Sequence, residues 1–426
     1  MSSANEESAE RQGLLPRFTL KDADMFLLSD ALGDIQSSRD GLFSNDTRML
    51  SRYELQIAER RPALLGAALS QDNTMLTSHL TNLPLPILGE GVIPRGVIHI
   101  ERSRLLWQGS LHERLKLTNF GNLVAQVPLR FCFDADFADI FEIQGTVRQR
   151  SGARQPPEID GRTVRLGYRG LDERERVTYL AFSRVPQVLE THEARFMFEL
   201  HNREPVELFV EISTAAQPAP AAERFAAAAE GAAAKMSQRV AAAATLRTSG
   251  RLFDEWINKS RSDLALLTTD LATGPYPYAG IPWFATQFGR DAIITALQTL
   301  WTQPRLAAGV LRFLASTQAR ETSAFRDSEP GKIMHESRRG EMAALGEVPF
   351  GCYYGGVDTT PLFVMLAGAY EKQTGDRSVV DAIWDNLLAA IGWVEGRMRR
   401  SPTGFLDYAR GQKSGLANQG WKDSQD

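Results

Sequence analysis

Three segments in the second half of the chain combine acidic, basic and aromatic side chains. The first is PWFATQFGRDA, residues 282–292, in which Arg290 and Asp291 precede an apolar run. The third is NQGWKDSQD, residues 418–426. The second segment, residues 332–361, lies between them and contains the titratable residues His335, Glu336, Arg338, Arg339, Glu341, Glu347 and Asp358. These residue types are suited to acid–base catalysis.

Hydrolysis of a glycosidic bond uses side chains of these types. One protonated carboxyl group donates a proton to the glycosidic oxygen, and a second carboxylate activates water or attacks the anomeric carbon. Aspartate, arginine and tryptophan side chains hold the hydroxyl groups and ring faces of the sugar. The spacing of the carboxylates does not distinguish the acid from the base, so both assignments stay open.

The same segments also have interpretations without catalysis. Arg290 and Asp291 fit a charge pair at the start of a helix, where the helix dipole stabilises a carboxylate. The charged residues of 332–361 fit a solvated loop, although such a loop would not need the aromatic residues Phe350, Tyr353 and Tyr354. Among the tryptophans, Trp283 and Trp421 lie in loops and are the better candidates for sugar contact. Helical spacing predicts that Trp301, Trp384 and Trp393 are core residues.

Composition and charge exclude several classes of protein. The 48 basic and 52 acidic side chains give a net charge of −4, which argues against a nucleic-acid-binding protein. The apolar runs are too short for a transmembrane helix, and the polar N-terminus is not a secretory signal. Cys132 and Cys352 are expected to be free thiols in a reducing cytoplasm. The scattered histidines predict no metal site, and no cofactor is expected.

The first half of the chain has the period of strands. Val127, Leu129, Phe131 and Phe133 alternate with other residues, as in a half-buried strand. Two further apolar runs, 196–200 and 206–212, are separated by a short polar turn that predicts a hairpin. We therefore expect a disordered tail at 1–14 and an antiparallel β-sandwich at 15–215.

The composition changes after this region. Residues 216–250 are rich in alanine and predict a helical linker. From residue 251 the apolar period is helical, and successive helices are joined by long polar loops, which usually carry function. The predicted fold class is therefore a β-sandwich followed by a helical domain at 251–426.

At the three segments the sequence resembles bacterial amylo-α-1,6-glucosidases, or glycogen debranching enzyme-like proteins. The resemblance is carried by PWFATQFGRDAIITALQTLW (282–301), by residues 330–376 and by GLANQGWKDSQD (415–426). In the first half, GLFSNDTRMLSRYEL (41–55) and FADIFEIQG (137–145) resemble the N-terminal domain of such proteins.

This resemblance implies an α/α toroid barrel of six helical hairpins after the β-sandwich, with an active site at one end. It implies a glycoside hydrolase that cleaves terminal α-linked glucose, typically at α-1,6 branch points of glycogen-like glucans, with inversion. Asp423 would be the general acid. Arg290 and Asp291 would hold the glucose hydroxyls. The remaining pocket residues implied by the resemblance are Trp283, His335, Glu336, Asp358 and Trp421.

The chain departs from the family pattern after these motifs. Residues 251–426 predict fewer helices than a complete barrel, and the family's catalytic base follows the acid motif at a distance. We therefore expect an incomplete barrel, inactive alone, that self-associates or is poorly soluble because its inner helices, such as 362–370, lack partners. Glu336, Glu347 or Asp358 stay open as substitutes for the base. The alternatives are a glucosidase for another α-linkage, such as trehalose, and a non-catalytic carbohydrate-binding or assembly protein.

Overall fold

The computed structural model describes residues 16–86 and 92–421 of the chain. It divides into two compact units, one ending at Ser237 and the other beginning at Gln238. The predicted tail at 1–14 and the predicted acid Asp423 lie outside the described residues. No helix within the described ranges combines the length and the apolar character that crossing a membrane requires.

The first unit consists mainly of strands. The strands are β1 Phe18–Asp22, β2 Met25–Ser29, β3 Gly41–Ser44, β4 Thr47–Leu50, β5 Arg52–Ile57, β6 Ala63–Leu69, β7 Met75–Thr81, β8 Ile98–Trp107, β9 Ser110–Asn119, β10 Ala125–Asp134, β11 Ala153–Asp160, β12 Thr163–Arg169, β13 Glu175–Phe182, β14 Val188–Leu189, β15 Glu193–Leu200 and β16 Val206–Ser213. Two helices accompany them, α1 Ile140–Ile143 and α2 Ala222–Ala241.

These strands form three antiparallel sheets. The orders are β1-β2-β3-β4, β14-β15-β10-β5 and β11-β12-β13-β16-β9-β8-β7-β6. One apolar core takes residues from all three sheets, including Leu27 of β2, Phe131 of β10 and Leu115 of β9. The prediction of an N-terminal antiparallel sandwich is therefore confirmed.

Strand β10 shows why the alternating pattern was informative. Val127, Leu129 and Phe131 are buried, whereas the intervening residues are half-buried. β10 lies between β15 and β5, so its inward side chains meet apolar neighbours from both. The ring of Phe131 stacks on Tyr53 of β5 with centroids 5.7 Å apart, a contact typical of a packed core.

The predicted hairpin between β15 and β16 is wrong. β15 pairs with β10 and β14, whereas β16 pairs with β13 and β9 in another sheet. The apolar residues of both strands, such as Phe198 and Val210, face the same core. Alternation of apolar and polar residues indicates that each strand has a buried face. However, two strands from different sheets that face one core give the same pattern as the two strands of a hairpin.

A buried ionic cluster lies inside the first unit. Arg102 is fully buried and donates to Asp34 Oδ1 at 2.6 Å and to Glu113 Oε1 at 2.8 Å. Asp34 also pairs with Arg61 at 3.1 Å. Because a buried charge without a partner is costly, these residues depend on one another.

The alanine-rich stretch forms α2. Its residues Phe225, Ala228 and Ala232 pack against Leu105 and Phe209 of the eight-stranded sheet. Small alanine side chains allow the helix to approach the sheet closely, and Arg224 pairs with the buried Glu211 at 2.8 Å. The domain boundaries and the linker assignment stay predictions.

The second unit is mainly helical. Its helices are α3 Arg251–Leu267, α4 Gly289–Thr299, α5 Pro304–Ser316, α6 Glu341–Ala344, α7 Thr359–Thr374, α8 Ser378–Ala382 and α9 Trp384–Arg400, with a 3-10 turn at Pro349–Gly351. Its strands form two short antiparallel pairs, β17 Thr268–Leu271 with β18 Gly274–Pro277, and β19 Gln287–Phe288 with β20 Glu336–Ser337.

Helix α7 lies in the core of this unit. Phe363, Leu366 and Tyr370 are buried with residues of α4, α5 and α9. The expectation that residues 362–370 lack packing partners is therefore wrong. Gly375, at φ 69°, takes the left-handed conformation that ends α7. The closed six-hairpin toroid stays a prediction.

The tryptophans predicted as core residues differ in burial. Trp393 is 7% exposed, in agreement with the prediction, whereas Trp301 is 62% and Trp384 is 50% exposed. Trp301 follows the end of α4 and Trp384 is the first residue of α9. Positions at helix ends keep the helical period but need not face the core.

Replacement of Asp34 by asparagine is predicted to destabilise the first unit. The change leaves Arg102 and Arg61 without their shared carboxylate, so the free energy of unfolding should fall by about 3–5 kcal/mol. Urea unfolding measures the change. Glu158→Gln, which weakens an exposed pair with Arg165, is the control and should cost less than about 1 kcal/mol. Equal losses of unfolding free energy in Asp34→Asn and Glu158→Gln would contradict the stabilising role of the buried ionic cluster.

Exposed apolar side chains on two helices predict self-association. They are Leu252, Phe253 and Trp256 on α3 and Leu388, Ile391 and Met398 on α9. Exposed apolar surface of this kind favours association. Light scattering of the chain should show oligomers, and Leu388→Lys combined with Ile391→Lys should reduce their mass. A monodisperse monomer in the unsubstituted protein would contradict the prediction.

Candidate active site

The short strand pair β19–β20 joins the first two predicted segments. Phe288 pairs with Glu336, and the Gly289 N–H donates to the His335 carbonyl at 2.8 Å. A Cβ at Gly289 would lie 2.0 Å from the Met334 carbonyl oxygen, so only glycine allows this approach. Because α4 begins at Gly289, its first turn is held beside His335 and Glu336.

Arg290 connects three parts of the chain. Its side chain begins in the first turn of α4 and is 9% exposed. Nη1 donates to the Gly420 carbonyl at 3.0 Å and to Asp358 Oδ2 at 3.4 Å. Its Cζ lies 6.0 Å from the centre of the Trp421 ring. The predicted residues Arg290, Asp358 and Trp421 are therefore neighbours.

Asp291 lies beside Arg290 in the first turn of α4 and is half-buried. Together with burial, which is the larger effect, its charge raises the pKa of Tyr276. The Tyr276 hydroxyl donates to the Phe288 carbonyl at 2.7 Å. Asp291 therefore lies near enough to Tyr276 of β18 for its charge to act on that hydroxyl.

Glu336 and Arg338 form a buried ion pair that also holds Trp283. Arg338 Nε donates to Glu336 Oε1 at 2.6 Å, and Nη2 donates to the Trp283 carbonyl at 2.7 Å. The Arg338 guanidinium also lies over the Phe288 ring. Arg338 was absent from the predicted site, although its position two residues after Glu336 on an extended segment places both side chains on one face.

His335 is buried among aromatic rings. It meets Phe288 and Tyr353 edge to face, with centroids 5.9 and 6.2 Å away, and is 6% exposed. Burial, followed by the positive charges of Arg290 and Lys332, lowers its pKa to about 4. The imidazole is therefore neutral at neutral pH and has one nitrogen that can accept a hydrogen bond.

Four buried polar atoms in this region have no hydrogen-bond partner within the described residues. They are Arg290 Nε, His335 Nδ1, Asp358 Oδ1 and Thr359 Oγ1. Gly356 lies between two of them, since a Cβ there would be 2.6 Å from Thr359 Oγ1 and 3.0 Å from His335 Nδ1. Buried polar atoms normally have partners, so this set marks a place for a polar ligand or ordered water.

The remaining predicted residues are less closely placed. Trp421 is 63% exposed and presents a ring face near Arg290, whereas Trp283 is half-buried in a turn. Glu347, one candidate for the base, is exposed in the loop after α6. Asp423 lies outside the described residues, and Trp421 precedes it by two positions. Thr359, the first residue of α7, was not among the predicted site residues.

No group of three or more histidine, cysteine, aspartate or glutamate side chains in the described part of the chain is arranged to hold a metal ion. Both cysteines are free thiols.

Residues 20–211 match the family described as the N-terminal domain of (some) glycogen debranching enzymes. This match lies within the β-sandwich and ends before the three segments of the candidate site. A search of curated proteins found no match to the chain.

Two solved structures align with the chain at low sequence identity. The "Putative kojibiose phosphorylase from human microbiome" aligns with a TM-score of 0.48 and 9% identity, over 84% of this chain and 61% of its own length. A galactose mutarotase related enzyme from Lactobacillus acidophilus aligns with a TM-score of 0.29 and 8% identity, over 47% of this chain and 98% of its own. The chain thus spans less than two thirds of the phosphorylase, and similarities this low carry no functional conclusion.

The pKa of His335 predicts a pH-dependent stability. In the unfolded chain its pKa is near 6.5, so the unfolded state binds a proton first as the pH falls. The folded state should therefore lose about 2 kcal/mol through this group between pH 7 and pH 5. Urea unfolding of wild type and His335→Gln at both pH values measures this difference.

The control for this measurement is His201→Gln, which changes an exposed histidine of the first unit. It should leave the difference between pH 7 and pH 5 in the second unit unchanged. If the free energy of unfolding of His335→Gln changes with pH as it does in wild type, the conclusion that His335 is buried as a neutral imidazole is wrong.

Proposed function

We propose, starting from residues 20–211 as an N-terminal domain of the glycogen debranching enzyme type, that this chain carries the glucose-binding site and the proton donor of a glycoside hydrolase. Its substrate is terminal α-linked glucose, with α-1,6 branch points of glycogen-like glucans as the leading class. The observation that carries the proposal is the set of four buried polar atoms of Arg290, Asp358, His335 and Thr359 that have no hydrogen-bond partner among the described residues.

The proposed glucose contacts follow from these atoms. Arg290 Nε–H would donate to one sugar hydroxyl while Asp358 Oδ1 accepts from a neighbouring one. The Thr359 hydroxyl can donate or accept, and neutral His335 adds a nitrogen. A glucose residue carries adjacent hydroxyl groups that each donate and accept, so it suits a mixed set better than a purely anionic ligand does. Asp291 would extend this set at the N-terminus of α4.

The aromatic contribution comes from two tryptophans. Trp421 presents an exposed ring beside Arg290, and sugar rings stack their apolar faces on such rings. Trp283 is linked to the site through its carbonyl, which accepts from Arg338. We propose Trp421 as the stacking platform and Trp283 as part of the pocket wall.

The proposed mechanism is inversion with Asp423 as general acid. Inversion places a second carboxylate about 6.5–9.5 Å from the acid, with the attacking water between them. Glu336 is paired with Arg338, and Asp358 with Arg290, whereas Glu347 is exposed. A carboxylate held by a guanidinium is a weaker base, so we assign Glu336 and Asp358 to binding and leave the base to another residue.

Glucose release tests the proposal. The full chain is expressed and assayed on isomaltose and α-1,6-branched dextrins, with maltose and trehalose as the linkage panel. We expect preference for α-1,6 linkages, β-glucose as the first product by NMR, and loss of at least a thousandfold in kcat for Asp423→Asn. Equal activity of wild type and Asp423→Asn would contradict the assignment of the acid, and preference for trehalose would contradict the substrate class.

Arg290→Lys tests the binding role separately. Lysine keeps the charge but loses the fork that reaches Asp358, Gly420 and the proposed sugar, so KM should rise about tenfold or more. Arg399→Lys, at an exposed position of α9, is the matched control. An unchanged KM in Arg290→Lys would remove Arg290 from the site.

A second candidate is a non-catalytic carbohydrate-binding protein. It is favoured by one observation, since two described carboxylates of the site, Glu336 and Asp358, are paired with arginines. This candidate predicts saccharide binding that depends on Arg290, with no glucose release at any pH. We also propose a cytoplasmic location and α-glucan as the partner, which two free thiols and the sugar-binding residue types support.

A further inference from the structure

Segment 411–421 crosses the site without regular secondary structure. Its sequence is GQKSGLANQGW, and no helix or strand is assigned to it. Nevertheless Gly415 and Gln419 are buried. A segment without a backbone ladder needs partners elsewhere for its polar groups, so its placement depends on contacts with other parts of the chain.

Asp327 supplies two of these contacts. Its Oδ1 accepts the Gly411 N–H at 2.5 Å, and its Oδ2 accepts Gln419 Nε2 at 2.8 Å. The Tyr353 hydroxyl donates to the same Oδ2 at 2.7 Å. The carboxylate is 9% exposed. Bonds to a buried carboxylate are stronger than bonds between neutral groups, so Asp327 ties both ends of the segment to one point.

Tyr353 completes this anchor. Its hydroxyl donates to Asp327 and accepts the Leu416 N–H at 2.8 Å. Burial, and then the bond to Asp327, raise the pKa of Tyr353, so the hydroxyl keeps its proton. Gly415 lies against this pair, since a Cβ there would be 2.8 Å from both Asp327 Oδ2 and the Tyr353 hydroxyl. The segment therefore packs directly on the Asp327–Tyr353 bond.

The anchor leads directly to the site. The Gln419 carbonyl accepts the Val357 N–H at 2.9 Å, next to Asp358. The following residue, Gly420, offers its carbonyl to Arg290 at 3.0 Å. Trp421 comes next. Hydrogen bonds at Gln419 thus decide where Gly420 and Trp421 meet Arg290.

We propose that Asp327, acting through Tyr353 and Gln419, is a positioning residue that holds segment 411–421 against Arg290. Its carboxylate oxygens are occupied by three donors from the protein, which makes it a structural acceptor and not the base. The anchoring of segment 411–421 does not depend on the proposed function, whereas its effect on sugar binding rests on that function.

Hydrogen exchange tests the anchoring in the full chain. Asp327→Asn replaces one accepting carboxylate oxygen by an amide NH₂ group, which would face the donors of Tyr353 or Gln419. Tyr353→Phe removes both hydrogen bonds of the Tyr353 hydroxyl. Each variant should speed exchange of the amides in 411–421 by about tenfold or more. Gly415→Ala, which keeps every hydrogen-bonding group but adds a Cβ against the anchor, should have the same effect.

Two matched controls separate this effect from general destabilisation. Asp407→Asn changes a carboxylate that lies four residues before the segment. This carboxylate pairs with Arg397 at 2.8 Å. Tyr354→Phe removes the adjacent buried hydroxyl, which donates to the Thr317 carbonyl at 2.7 Å. Both should leave exchange in 411–421 unchanged. Equal exchange in wild type, Asp327→Asn and Tyr353→Phe would overturn the proposal.

Calorimetric titration with isomaltose adds the functional readout. If the proposal holds, the affinity falls about tenfold in Asp327→Asn and Tyr353→Phe but stays unchanged in Asp407→Asn and Tyr354→Phe. Faster exchange with unchanged affinity would overturn the positioning role. If wild type does not bind isomaltose, the proposed function fails, and the exchange data alone decide whether Asp327 anchors the segment.

Discussion

The candidate site depends on the buried guanidinium of Arg290. A buried cation is stable only where other groups compensate its charge and accept its protons. The start of α7 supplies Asp358, and segment 411–421 supplies the Gly420 carbonyl. Three stretches that are distant in sequence must therefore meet around one side chain. Because Nε has no hydrogen-bond partner among the residues that the structure describes, this compensation is incomplete in a way that a hydroxylated ligand would complete.

The parts that sequence predicted well are local. Alternation in β10 revealed a buried face, and the apolar period after residue 250 predicted helices where α3, α4, α5, α7 and α9 lie. Helix α6 lies in a stretch that was interpreted as a loop. Arg290 and Asp291 were correctly placed at a helix start, because the change from an extended run to a helical period is visible within a few residues. The proximity of Arg290 and Asp358 followed only from the resemblance of their segments to a family.

The parts that sequence missed depend on distant contacts. Apolar residues alternate in β15 and β16 as they would in a hairpin, yet the two strands lie in different sheets. The alternation indicates that each strand has a buried face, but it does not identify the partner strand. Trp301 and Trp384 have helical spacing but lie at helix ends, where a side chain need not face the core. Asp327 had no motif to mark it. Its partners are Tyr353 and two residues of segment 411–421, Gly411 and Gln419. Both stretches are distant from Asp327 in sequence, so only folding brings the four residues together.

A crystal structure of the chain with bound isomaltose tests the central claim most directly. The account predicts a glucose residue whose hydroxyl groups lie within hydrogen-bond distance of Arg290 Nε and Asp358 Oδ1, with its ring near Trp421. Isomaltose bound elsewhere, or ordered water alone at these atoms under saturating sugar, would contradict the account.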